Sequence, residues 1–235
     1  MTNYAIYLRI QPELYQRFQQ VSTRINTPNE PRQAKALGAV LADLACAVLD
    51  QVFTELIRKA SRVESSPTDS QSRESSQQVI DKIIGYIKQY MPYAVSFFHN
   101  QRLSPMVNYL AGQIRVQDGH YYLSYEIDDQ LAQQQIDSLN RIGAGDNQAV
   151  KVAFAHLVKI IDIGMNALII KPKTLLNFNF LVNKTLDGVI HMSTQIGYQR
   201  LEKVTAHLTA AQAEPYLHHF FAFMQQQPQN QSVTQ

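Results

Sequence analysis

The stretch 113-QIRVQDGHYYLSYE-126 decides the fold class. Asp118-Gly119 is the dipeptide a two-residue hairpin turn wants, and apolar residues alternate with polar ones on both sides of it. Pairing about that turn sets Val116 opposite Tyr121 and Ile114 opposite Leu123 on one face. On the other face Arg115 meets Tyr122 and Gln117 meets His120. A two-stranded ribbon alone is marginal, so its apolar face must lie on helices or join a further strand. Tyr4, Ile6, Leu8 and Ile10, alternating with Ala5, Tyr7 and Arg9, offer such a strand near the N-terminus.

Outward from the hairpin the chain reads as helix, and nine Gly and nine Pro are few for 235 residues. Pro12 opens a helix to about Ile25. From Arg32 to Lys59, Leu37, Leu41, Leu44, Val48, Val52 and Leu56 share one face, with Asp43, Asp50 and Arg58 opposite. The small residues Ala39, Ala42, Ala45, Cys46 and Ala47 on that helix let another helix approach closely, and Cys46 reads as a packing residue. Asp128 or Asp129 caps a helix through Leu131, Gln135, Leu139 and Ile142, stopped at Gly143-Ala144-Gly145. Asp146 caps the next, where Ala149 to Ile170 is apolar apart from His156 and a line of Lys151, Lys159, Asp162 and Asn166; this is the expected central core helix, ended by Lys171-Pro172-Lys173.

Leu175 to Ile196 carries a helical stripe of Phe178, Leu181, Val182, Leu186, Val189, Met192 and Ile196, yet Asp187-Gly188 suits a hairpin; periodicity over so long a span favours helix. Leu201, Val204 and Leu208, then Leu217, Phe220, Phe221 and Met224, mark two closing amphipathic helices. The fold expected is therefore mainly α (α+β), a multi-helix bundle of seven or eight helices with one small antiparallel β-hairpin element.

Ser61 to Gln78 is Ser, Gln, Asp, Glu, Arg, one Thr and one Pro, with Val63 the only apolar side chain before Val79, a composition that cannot offset its own ordering entropy. The expected organisation is an N-terminal strand and two helices over 1–60 packed on the main body, a flexible polar linker over 61–78, a main helical body over 79–226, and a disordered Gln-rich tail over 227–235. The single cysteine forbids an intramolecular disulfide, and the opening Met1-Thr2-Asn3-Tyr4 lacks a basic stretch followed by an apolar one, so a cytoplasmic protein is expected. Lys151, His156, Lys159 and Asp162 interrupt the most apolar segment, and no transmembrane helix is expected. A formal charge of +2 supplies no general attraction to nucleic acid or anionic lipid.

The candidate site lies on the helix from Gln77 to His99. Tyr86, Tyr90, Tyr93 and Phe97 fall at intervals of four, three and four and form one aromatic stripe. Ile80, Ile83, Ile84, Ile87, Met91, Val95 and Phe98 form an aliphatic stripe roughly 110° round the same helix. A helix with two apolar faces must touch two things. Pro92 either kinks this helix or starts a second one. Tyr216, Phe220 and Phe223 repeat the spacing, and two such stripes would line one groove or meet across a dimer axis.

Catalytic motifs give nothing firmer. Asp187 with His191 and Glu214 with His218 have helical spacing for metal ligation, but the Glu-x-x-His pairs of a bundle di-metal site are absent, so no metal, cofactor or catalytic residue is assigned. Gly143-Ala144-Gly145-Asp146 follows a helix and lacks the Lys and Ser/Thr of a phosphate loop. Cys46 has no cation close in sequence, and His156 reads as a core-edge histidine. The expected function is non-enzymatic: self-association, recruitment of a protein partner, or capture of an apolar small molecule by Tyr86, Tyr90, Tyr93, Phe97, Tyr216 and Phe220. Two alternatives stand beside it. A helix over Ser104–Ala111 running into a hairpin is the order of a winged-helix DNA-binding regulator, though only Arg102 and Arg115 flank it; an enzyme of dispersed His and acidic residues is the other.

Overall fold

The computed structural model describes residues 3–54, 67–178 and 208–227, together with 183, 184, 186–188, 190, 191, 195, 198 and 202. The chain is a mainly helical α+β protein whose helices pack around a four-stranded antiparallel sheet. Strand β1 (Tyr4–Ile10) leads into α1 (Pro12–Asn26) and α2 (Ala34–Leu49), which ends in a π-turn at Asp50–Thr54. Then come α3 (Pro67–Val95), α4 (Asn100–Gly112), and the hairpin of β2 (Ile114–Gln117) and β3 (His120–Ile127). Helices α5 (Asp129–Gly143) and α6 (Asn147–Met165) follow, the latter continuing through a second π-turn at Asn166–Ile170 into α7 (Lys171–Leu176). Helix α8 (Ala210–Phe221) and β4 (Met224–Gln226) close the described chain.

The hairpin forms in the expected register, Ile114 opposite Leu123 through Gln117 opposite His120. Asp118 and Gly119 take φ of 51° and 74°, the two positive values of a type I′ turn. The sheet order is β2-β3-β1-β4, so the N-terminal strand is interior and its flanks are both paired. Ile6, Leu8, Ile10, Leu123, Tyr125 and Ile127 bury the inner face against Phe18, Leu37, Leu103 and Val107 of the helices. Val116, at the hairpin tip, projects past that layer and is 60% exposed. A second core of Ile142, Val150, Phe154, Leu157, Tyr216, Leu217 and Phe220 joins α5, α6 and α8.

Helix α3 is seated by its contact with α2. A Cβ added at Gly38 would stand 2.4 Å from Pro92 Cα and 2.8 Å from Val95 Cγ2, a separation no side chain permits. Pro92 therefore lies inside one helix, at the point of closest approach. Arg32 ties the end of α3 to the preceding loop, donating from Nε to the Phe98 carbonyl at 2.8 Å and from Nη2 to that of Ser96.

Several expectations change. The expected linker over 61–78 is helical backbone from Pro67 onward, because once the packed turns of α3 exist each added residue gains a hydrogen bond without paying for nucleation; residues 61–66 lie outside the described set. Pro172 does not end the apolar helix. The π-turn before it widens the backbone, and Pro172 enters α7 at its start, where no amide proton is needed; Asn177, at φ 44°, ends the helix instead. Gln225 and Gln226, at the end of the expected helical body, are strand residues of β4, and Gln227, expected in the tail, donates its amide to the Asn3 carbonyl at 2.7 Å; 228–235 lie outside the described residues. In the segment expected as helix or hairpin, every described position from 183 to 202 is helical, Asp187 and Gly188 included; Leu201 and Val204 lie outside the described residues.

The expected central core helix is only partly wrapped. Ala149, Val150, Ala153, Phe154, Leu157, Ile160 and Gly164 are buried, whereas Val152, Ile169 and Ile170 are exposed. By length and composition Asn147–Leu176 also qualifies as a membrane-crossing helix, with mean hydropathy 1.7 and 28% of its most apolar window buried, despite the four polar interruptions.

Candidate functional site

The two stripes of α3 diverge as the spacing requires. Ile80, Ala94 and Val95 are buried, with Ile83, Ile84, Ile87 and Met91 half-buried beside them. The aromatic stripe is left outside: Tyr86 is 38%, Tyr93 60% and Phe97 53% exposed, with Tyr90 half-buried between them. Its rings pack on one another along the helix. Tyr93 and Phe97 meet edge to face at 4.9 Å between centroids, and Tyr86 and Tyr90 are tilted at 6.1 Å. From Tyr86 to Tyr93 the rings follow about 10 Å of helix at 1.5 Å per residue, and Phe97, in the turn after Val95, extends the surface beyond the helix end. Three of the seven large exposed apolar side chains among the described residues stand on this stripe.

Tyr216 and Phe220 do not share that surface, which corrects the expectation of a groove built from two stripes. They are 8% and 7% exposed and lie within the second core, against α5 and α6. The same four-and-three spacing serves there to fill an interior. Phe223, half-buried, packs against the first core and meets the His219 ring at 5.2 Å.

The remaining chemical candidates are engaged structurally. Glu214 and His218 form a pair at 3.6 Å on the surface of α8, while Asp187 is held by the Lys173 ammonium and by Asn183 Nδ2 at 3.2 Å. Gly143-Ala144-Gly145 is an interhelical turn with Gly145 at φ 87°. Asp146 after it accepts from Gln148 N at 2.8 Å and from Arg141 Nε and Nη2 at 2.9 and 2.6 Å. The Arg141 hydrogen bond, followed by that from Gln148, holds the Asp146 carboxyl below the ordinary carboxylate range. Burial pushes the Cys46 thiol up; Lys88 of α3 opposes this and Asp43 adds to it, so the sulfur stays a packing thiol. Burial, then Lys159, lowers the His156 imidazole. In the winged-helix order, Arg102 donates to the Leu176 and Asn177 carbonyls at 3.1 Å, and Arg115 Nη1 to Gly112 O at 2.6 Å, so both flanking cations bind backbone of this chain.

Three polar features escape the sequence. Each π-turn frees a carbonyl that a distant side chain claims: Tyr109 hydroxyl donates to Ala167 O and His219 Nε2 to Gln51 O, both at 2.9 Å. Gln51 then extends the sheet edge past β4, its amide accepting from Arg9 N at 2.9 Å and donating to Arg9 O at 2.7 Å. Gln135 on α5 is fully buried, and neither amide atom has a hydrogen-bond partner among the described residues, a cost of about 1–3 kcal/mol. No signal of spacing could announce the π-turn and Gln51 contacts, since each joins elements far apart in sequence.

No protein-family model, curated protein or solved structure matches this chain.

Proposed function

We propose that this protein is a non-enzymatic interaction protein whose α3 aromatic stripe docks a protein partner, a second copy of the chain in the first instance. The observation that carries the reading is the exposure of Tyr93 on α3 and of Phe97 in the turn just after it, 60% and 53%, beside a helix whose other apolar side is seated on α2. Aromatic rings with accessible phenols suit a surface that is dry in the complex and wet outside it. A single straight stripe can also pair with itself about a two-fold axis.

Area decides the strength. Four rings of about 200 Å² each, less than half of it exposed, supply on the order of 300–400 Å² per copy. A stable interface needs about 800 Å² per partner. The complex is therefore weak and reversible unless flanking residues such as Lys82 and Lys88 add to it. Sedimentation velocity tests this. Wild-type protein is expected to form dimers as its concentration rises to roughly 0.2 mM. The double variant Tyr93→Ser/Phe97→Ser is expected to stay monomeric with stability altered by only about 0.5 kcal/mol, as for surface positions. A wild type that remains monomeric, or a variant that dimerises equally, contradicts the proposal.

A further inference from the structure

The outer face of the sheet is polar, and its middle is hollow. Across neighbouring strands the rows read Arg115–Tyr122–Arg9, then Gln113 beside Ser124–Tyr7, then Glu126–Ala5–Gln225. Ala5 and Ser124 are small residues among large ones, and over them opens a cavity of about 240 Å³ whose lining includes Tyr7, Arg115, Ser124, Glu126 and Gln227. That volume lies below the pockets that take drug-sized molecules, which start near roughly 300 Å³. Its floor is dry, with Ala5, Tyr7 and Ser124 at 2%, 6% and 4% exposure.

The charges sit at opposite ends. Arg115 is level with Tyr122 and Glu126 lies four residues further along β3, a separation of about 14 Å at 3.4 Å per residue. Both residues line the cavity. Arg115 Nη1 is anchored on Gly112 O, which fixes the plane of the guanidinium, and its Nε and Nη2 form no hydrogen bond among the described residues. The Tyr7 hydroxyl likewise forms none among the described residues, although its ring packs edge to face on Tyr122 at 5.8 Å. Ser124 Oγ spends its proton on the Gln113 carbonyl at 3.0 Å and keeps its lone pairs. One cation, one anion, a phenolic donor and a hydroxyl acceptor thus converge on a small buried floor. A bare anion would gain Arg115 and meet Glu126, and a bare cation would suffer the reverse.

We infer that this cavity binds a small zwitterion of amino-acid size, its carboxylate toward Arg115, its ammonium toward Glu126, and its body over Tyr7 and Ser124. The test uses the full chain, with the twenty common amino acids screened singly by saturation-transfer NMR and the strongest measured by calorimetry. Acetate and methylammonium serve as half-ligands. At least one amino acid is expected to bind with Kd of about 1 mM or tighter. Arg115→Gln and Glu126→Gln should each weaken it about tenfold or more, Tyr7→Phe by less, with circular dichroism and melting confirming that each variant folds. Neither half-ligand should displace it at equal concentration. No binding by any of the twenty, binding unchanged in Arg115→Gln and Tyr7→Phe, or displacement by acetate alone overturns the inference.

Discussion

At Gly38 the missing side chain is what lets α3 stand where it does. Replacing it by Ala adds about 1 kcal/mol of helix propensity to α2. It also drives a methyl to 2.4 Å from the Pro92 backbone, which has no flexible end to move aside. Overpacking of this kind costs about 1–3 kcal/mol, so Gly38→Ala is expected to lower the melting temperature, and a rise would show that the α2–α3 contact is not tight. The run of small residues on α2 was legible as an invitation to a neighbouring helix, although not which helix accepts it. The aromatic residues were less legible. Tyr86, Tyr90, Tyr93 and Phe97 share their spacing with Tyr216, Phe220 and Phe223, yet the first set is largely exposed and Tyr216 and Phe220 are buried. Spacing places rings on a common side of a helix; what that side meets is a property of the other elements.

Elements with local causes were read closely. The hairpin register follows from Asp118-Gly119 and the alternation beside it, and the caps at Asp128 and Asp146 follow from acids placed before apolar periodicity. Asp146 makes its cap testable by pH. Its folded carboxyl titrates below the ordinary value, so the stability it contributes is fully present above the unfolded pKa of about 3.9 and is lost as pH falls through the lowered folded value. Asp146→Asn keeps a capping oxygen and removes the charge that Arg141 meets, so urea titrations between pH 6 and pH 2, both roughly chosen to bracket that range, should show a shallower acid loss in the variant. Equal slopes would show that the Arg141 pairing adds nothing in solution. Elements shaped by context were misread: a polar composition hid the helical backbone of 67–78, and the π-turn at Asn166–Ile170 carried the helix past Pro172.

For the whole molecule, the sequence held the class of fold but not its topology. That the Tyr4 strand pairs with the hairpin was one of two expectations; that it lies between β3 and β4 was not, since β4 is three residues of Met and Gln paired with the far end of the chain. Long-range pairing of so short a segment leaves no period to read. The two cores, the bridging of the sheet edge by Gln51, and the hollow outer face are consequences of that arrangement. With the interior complete, the stripe from Tyr86 to Phe97 is left as an ordered aromatic surface, and the proposed function rests on it.

The most direct test places a photo-crosslinking benzoylphenylalanine at Tyr93 in purified protein, mixes isotopically light and heavy chains, irradiates, and maps the joined peptides by mass spectrometry. The account predicts mixed-isotope crosslinks from position 93 to residues 86–97 of a second chain. Crosslinks confined to one chain, or to a second chain away from α3, would contradict it.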